Sequence, residues 1–207
     1  MSEGRRPVFI RHRVNRIAEI EHGDPRWGLE CDLRCGPRPG TIRLAHDPYE
    51  AGDDFAVWLD RAVEVGVTGP IILNTKDDGL EAVARDLMLA RGLEDWFFLD
   101  TQVPTRVGWT FHRGEDRFAV RLSRFEPAEA LEPFRGRCRW VWVDCFGGEP
   151  LPVEQVRRAA VGFRVCLVSP ELQGAGVEAV GRFTRLLPLA DAICTRAPEA
   201  WIAVLGR

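Results

Sequence analysis

Glu30 and Asp32 stand two apart in the strand-like run WGLECDLR (27–34). A period of two puts both carboxylates on one face of a strand. The turn Gly36-Pro37-Arg38-Pro39-Gly40 follows, and a second extended run ends at His46-Asp47. Two carboxylates and an imidazole at neighbouring strand ends can hold a hard divalent cation through oxygen and leave an acid–base group beside it. That set suits chemistry on a phosphate ester or a phosphorylated sugar. Asn74 and Lys76 repeat the i, i+2 pattern, as do Trp142 and Asp144, while His12, Asp100 and Arg121 stand near the ends of other extended runs. An arginine fork or a lysine ammonium there would clamp phosphate oxygens, and Trp142 could stack on a sugar or head group.

The elements that must position these side chains alternate. Extended runs occur at 7–14, 27–34, 70–76, 95–100, 117–123, 139–146, 163–169 and 191–196, each near the length of a typical strand. Helical patterns lie between them. DDFAVWLDRAVEVG starts at Asp53 or Asp54 as cap and stops at Gly66, and GLEAVARDLMLARG stops at Gly92. FEPAEALEPF, LPVEQVRRAAVG, VEAVGRFTRLLP and PEAWIAVLG fill later gaps, and 101–116 carries no helical signal. Strands alternating with helices predict an α/β fold, a compact (β/α)8 TIM barrel over a single domain 1–207, with a β-hairpin extension after the second strand. An open doubly wound sheet is the competing architecture. The barrel is preferred because polar residues recur at the C-terminal ends of nearly all the strands rather than at one switch point.

Each such residue has a plainer reading, since a strand-end Asp commonly caps a turn. Gathered at one mouth, that much charge would be costly to bury without a function. His22 and His112, in polar contexts, read as surface residues. Trp96, Trp109 and Trp201 could supply an apolar contact patch.

Composition bounds the partners. The chain has 207 residues, 45% of them hydrophobic, and a formal net charge of −3. There is no global electrostatic case for nucleic acid or an anionic membrane. No stretch approaches the ~20 apolar residues of a spanning helix, and the N-terminus lacks a secretory pattern, so a cytoplasmic location is expected. The six cysteines (31, 35, 138, 145, 166 and 194) mostly lie in apolar runs, where buried thiols rather than a zinc site are expected.

The order His12-Arg13, Glu30-x-Asp32, His46-Asp47 and Asn74-x-Lys76 resembles the motif series of glycerophosphodiester phosphodiesterases, within the phospholipase-C-like phosphodiesterase barrels. The likeness covers the first 76 residues; the later text (RLSRFE, WVWVDCF, CLVSPELQG) resembles a divergent bacterial branch of that superfamily. The resemblance implies a metal-assisted phosphodiester hydrolase acting on a small molecule, with His12 and His46 as the general base and acid, one taking a proton and the other giving one, and Arg13, Lys76, Arg121 and Trp142 at the substrate. It implies one divalent cation, Mg or Ca, at Glu30 and Asp32. Two departures stand out. The glycine that follows His-Arg in the family is Val14 here, and the third acidic ligand is Asn74. An amide oxygen can bind Mg²⁺ or Ca²⁺ but brings no charge, so the metal is weakly held or absent unless Asp100 or Asp144 completes the set. A barrel that binds phosphodiesters without hydrolysing them is the first alternative. A metal-assisted lyase or isomerase on a phosphorylated sugar is the second.

Overall fold

The computed structural model describes residues 6–206. Along the chain run β1 (Val8–Arg11), β2 (Gly28–Cys35), β3 (Ile42–Leu44), β4 (Asp53–Asp54), α1 (Phe55–Val65), β5 (Ile71–Thr75), α2 (Glu81–Ala90), β6 (Trp96–Leu99) and α3 (Val103–His112). Then come β7 (Ala119–Leu122), β8 (Trp140–Val143), α4 (Val153–Ala160), β9 (Arg164–Val168), β10 (Ala192–Thr195) and α5 (Pro198–Leu205). Every extended run expected from the sequence coincides with a strand, most of them trimmed at both ends, while β2 runs one residue past its expected end to Cys35. The chain forms two compact units, one spanning Ile10–Phe118, the other made of Ala119 onward together with Val8 and Phe9 of β1.

In the unit Ile10–Phe118, β2 is the central strand. It runs parallel to β1, with Ile10 opposite Gly28, and parallel to β5, with Asp32 opposite Asn74. β6 continues the parallel order beside β5, and a parallel bridge joins Phe98 to Phe118. The predicted hairpin is present: β3 turns back antiparallel on β2, and β4 on β3. Gly28 is required where β2 begins, because a Cβ there would meet the Pro70 carbonyl oxygen at 2.1 Å.

α1 follows its sequence signals. The Asp54 carboxylate caps it, accepting from the N–H groups of Ala56 (2.8 Å) and Val57 (3.2 Å). Gly66 ends it with φ +79°, in the left-handed region that glycine adopts without penalty. Its buried face is Phe55, Trp58, Leu59 and Ala62. Trp58 donates its indole N–H to the Val14 carbonyl at 3.0 Å, tying α1 to the loop after β1.

The other unit holds β7, β8, β9 and β10 in parallel succession, with Arg121 opposite Trp142 and Trp142 opposite Cys166. Val8 donates its N–H to the Asp191 carbonyl at 3.0 Å.

Three expectations need correction. α3 occupies 103–112, where no helix was expected: Pro104 lies in the first turn, where its missing N–H costs nothing. The helical patterns at 125–134 and 177–188 form 3-10 turns over Ala128–Phe134 and Val177–Leu189, both of which contain a proline, Pro133 and Pro188. Trp96, Trp109 and Trp201 are core residues rather than a contact patch. Five of the six cysteines are buried and Cys35 is exposed. Among the described residues no helix is long and apolar enough to cross a membrane.

Candidate active site

Period two along β2 turns Glu30 and Asp32 to the same side, and both are about 1% exposed. The neighbouring β5 adds Asn74, and Lys76, the residue directly after the strand, follows by the same rule. Asn74 donates Nδ2 to Glu30 Oε1 at 2.9 Å, and the Lys76 ammonium lies 3.2 Å from Asp32 Oδ1. Asn74 Oδ1 is buried and has no hydrogen-bond partner among the described residues.

The loop after β1 closes over this pair. Arg13 adopts φ +56°, an uncommon conformation for a residue with a Cβ. It donates its backbone N–H to Glu30 Oε2 at 2.6 Å, and its guanidinium Nε lies 3.7 Å from Asp32 Oδ2. His12 Nε2 lies 3.8 Å from Glu30 Oε2. Val14, at the family's glycine position, is buried, and the left-handed residue is its neighbour Arg13.

His46 lies just after β3, in the hairpin arm that folds back on β2. Ala45 donates to the Asp32 carbonyl at 3.1 Å, and Arg34 grips the His46 carbonyl through Nε (3.1 Å) and Nη2 (2.8 Å). Asp77 in turn holds Arg34 at 2.7 Å. The imidazole Nδ1 is 2.8 Å from Asp47 Oδ1. A polar cavity of about 280 Å³ lies between the two arms, lined by Arg13, Asn15, Arg16, Glu19, His46 and Glu50 among others. Asp53 ties the arms together, accepting the Ile17 N–H at 2.7 Å.

The electrostatics of the pair are unbalanced. Burial first, and then the Asp32 charge, push the Glu30 carboxyl up from 4.5 to about 7, against the pull of Asn74, the Arg13 N–H and Lys76.

The strand ends of the other unit carry their own cluster. Asp144 is ion-paired with Arg121, accepts from Gln173 Nε2 at 2.8 Å and from the Trp142 indole N–H at 3.3 Å. Trp142 is buried, so its ring packs rather than presenting a face for stacking. Glu171 accepts from Thr195 Oγ1 at 2.6 Å and from the Arg196 N–H at 3.0 Å. Cys145 lies in this cluster, and burial, with the charges of Asp144 and Glu171, pushes its thiol up to about 12.

The sequence-predicted residues therefore divide. His12, Arg13, Glu30, Asp32, Asn74 and Lys76 converge, with His46 on the adjoining arm. Asp100 is exposed with φ +59°, and Asp144 is committed to Arg121. Among the described residues no three His, Cys, Asp or Glu side chains form a group that could hold a metal ion. Sequence reasoning missed Asn15 and the supports Arg34, Asp53 and Asp77. Asn15 follows the His-Arg pair closely, which was the one available signal. His22 and His112 are exposed.

No protein-family model and no curated protein matches the sequence. Solved structures do match the fold. A candidate glycerophosphodiester phosphodiesterase from Galdieria sulphuraria is 16% identical, with all of both chains covered and a TM-score of 0.76. An Oleispira antarctica phosphodiesterase, solved with its product sn-glycerol-3-phosphate, is 16% identical over 98% of each chain, with a TM-score of 0.70. A glycerophosphodiester phosphodiesterase from Agrobacterium tumefaciens is 14% identical, covering 96% of this chain and 100% of its own, with a TM-score of 0.68. The α/β fold, with its mainly parallel strands, matches that of the glycerophosphodiester phosphodiesterase TIM barrels, as the motif order led us to expect.

Proposed function

We propose that this protein is a phosphodiester hydrolase of one (β/α)8 domain, acting in the cytoplasm on a small-molecule diester. The observation that carries the proposal is the buried Glu30–Asp32 pair with His12, Arg13 and Lys76 gathered on it beside a polar cavity. Two like charges held side by side are costly to bury. The likeness in fold to phosphodiesterases, one of them holding sn-glycerol-3-phosphate, supports the same substrate class.

In this reading Lys76 and Arg13 attract the diester phosphate, and the Arg13 guanidinium offers a fork to two of its oxygens. Asp47 accepts from Nδ1–H of His46, which leaves the lone pair on Nε2. His46 then takes the proton of the attacking hydroxyl or water as the new P–O bond forms. His12 gives a proton to the alkoxide as the old P–O bond breaks. Each transfer contributes about 10²–10⁴-fold.

Glu30, Asp32 and the unpartnered Asn74 Oδ1 are an all-oxygen donor set that fits a hard cation such as Mg²⁺ or Ca²⁺. Such a cation, when bound, would neutralise charge developing on the phosphate. Asp100, exposed, and Asp144, paired with Arg121, have no part in that set.

The experiment is hydrolysis of small phosphodiesters with Mg²⁺, Ca²⁺ or Mn²⁺, with product analysis. We expect His12→Ala and His46→Ala each to lose about 10²–10⁴-fold. Full activity in both variants would overturn the assignment. Asn74 favours a second reading, since its amide donates to Glu30 where the family has a third acid. A protein that binds a diester tightly and never turns it over, with or without metal, would be a binding barrel instead.

A further inference from the structure

Along β2, alternate residues turn their backbone groups to opposite neighbours. Leu29 donates to Pro70 and Leu33 accepts from Lys76, both on the β5 side. Glu30 and Asp32 face the other way, towards β1. But β1 stops at Arg11, opposite Leu29, so the edge of β2 beyond that point needs other partners. The Glu30 carbonyl accepts from the Val14 N–H at 2.7 Å, and the Asp32 carbonyl from Ala45 at 3.1 Å. Between these two lies the Asp32 N–H, which donates to the side-chain Oδ1 of Asn15 at 2.9 Å. The same amide returns Nδ2 to Asp32 Oδ2 at 2.8 Å. One side chain thus binds both the backbone and the carboxylate of one residue.

The geometry points to Asn15 as a positioning residue that stands in for the missing strand and fixes the Asp32 carboxylate. With Oδ2 held by Asn15, Oδ1 is the oxygen turned to Lys76, at 3.2 Å. The pose of the acid, and with it the place of the ammonium, is therefore set from the loop that also carries His12 and Arg13. A carboxamide suits this task because it presents an acceptor and a donor in one fork. An alanine offers neither, and an aspartate offers only acceptors beside an acid. Asn15 also lines the 280 Å³ cavity with Arg13 and His46, so the clamp borders the space where substrate would lie. The functional consequence rests on the phosphodiesterase reading; the clamp itself does not.

The test uses Asn15→Ala and Asp32→Asn, singly and combined, with kcat and KM measured on a hydrolysed diester. Amide hydrogen exchange at Asp32 is followed in the wild type and in Asn15→Ala. Misplacing a group that orients substrate costs up to about 100-fold, so we expect kcat of Asn15→Ala to fall about 10–100-fold with KM changed less than about threefold. In the Asp32→Asn background the same substitution should cost nothing further, because Asn15 acts through Asp32. The Asp32 amide should exchange about tenfold faster or more in Asn15→Ala as its acceptor is lost. Equal losses of kcat in both backgrounds would overturn the positioning role, and unchanged exchange would overturn the clamp. A wild type that hydrolyses no diester would instead overturn the phosphodiesterase reading. The exchange measurement, which needs no activity, then decides for or against the clamp alone.

Discussion

Buried carboxylates occur in both units, inside β2 in one and just after β8 in the other, and they are treated differently. Asp144 faces one guanidinium, one amide and one indole N–H, so its buried charge is neutralised inside a hydrogen-bonded network, and Glu126 lies 3.8 Å from the same guanidinium. Glu30 and Asp32 place two negative charges together, at the cost of a Glu30 carboxyl raised to about 7 and an arginine in the left-handed region. The first arrangement is what stability alone would choose. The second stores unfavourable electrostatics and strain next to a polar cavity, the pattern of a site organised for a ligand.

Substitutions should separate the two regions by sign. Asp144→Asn takes the nearer of two carboxylates from Arg121, and we expect a loss of about 3 kcal/mol, at the low end for a broken buried pair because Arg121 keeps Glu126 at 3.8 Å and partial access to water. Denaturant unfolding measures it, and an unchanged midpoint would mean that the pair contributes little.

Glu30→Gln should act the other way, with a pH dependence. Below pH 4.5 the carboxyl is protonated in both folded and unfolded chains, and the glutamate carries no penalty. Between 4.5 and about 7 the unfolded chain ionises while the folded one resists, and stability falls. Above about 7 the cost is complete, at most about 3 kcal/mol by linkage. In cation-free buffer Gln should therefore stabilise at pH 8 and do little at pH 5. An equal effect at both would contradict the origin assigned to the shift.

The smallest effect is expected at Arg13. Arg13→Gly relieves a left-handed residue but adds freedom to the unfolded chain, so a net gain of about 1 kcal/mol or less is expected from thermal unfolding. A clear loss would mean that the guanidinium contributes more to stability than its conformation costs.

Much of this contrast was legible before any coordinates. Extended runs located the parallel strands, Asp54 and Gly66 bounded α1, and period two put Glu30 with Asp32 and Asn74 with Lys76. These are local signals, and local physics kept them. The helix at 103–112 was hidden because its run contains Pro104 and Gly108, both poor helix formers, although a first-turn proline is harmless. Asn15 was hidden for another reason. Its partner is 17 residues away in sequence, and the bond exists only because β1 ends early and the loop turns back on β2. The fate of Asp100 and Asp144 was equally non-local: a strand-end acid looks the same in sequence whether it faces a cavity, water or an arginine.

The most direct test is the rate of diester hydrolysis by Asp32→Asn beside that of the wild type, with a divalent cation present and folding matched by circular dichroism. Removing one preorganised charge from such a centre should lower kcat by about 10²–10³-fold while the protein stays folded. A folded Asp32→Asn protein that hydrolyses at the wild-type rate would contradict the placing of the chemistry at this pair.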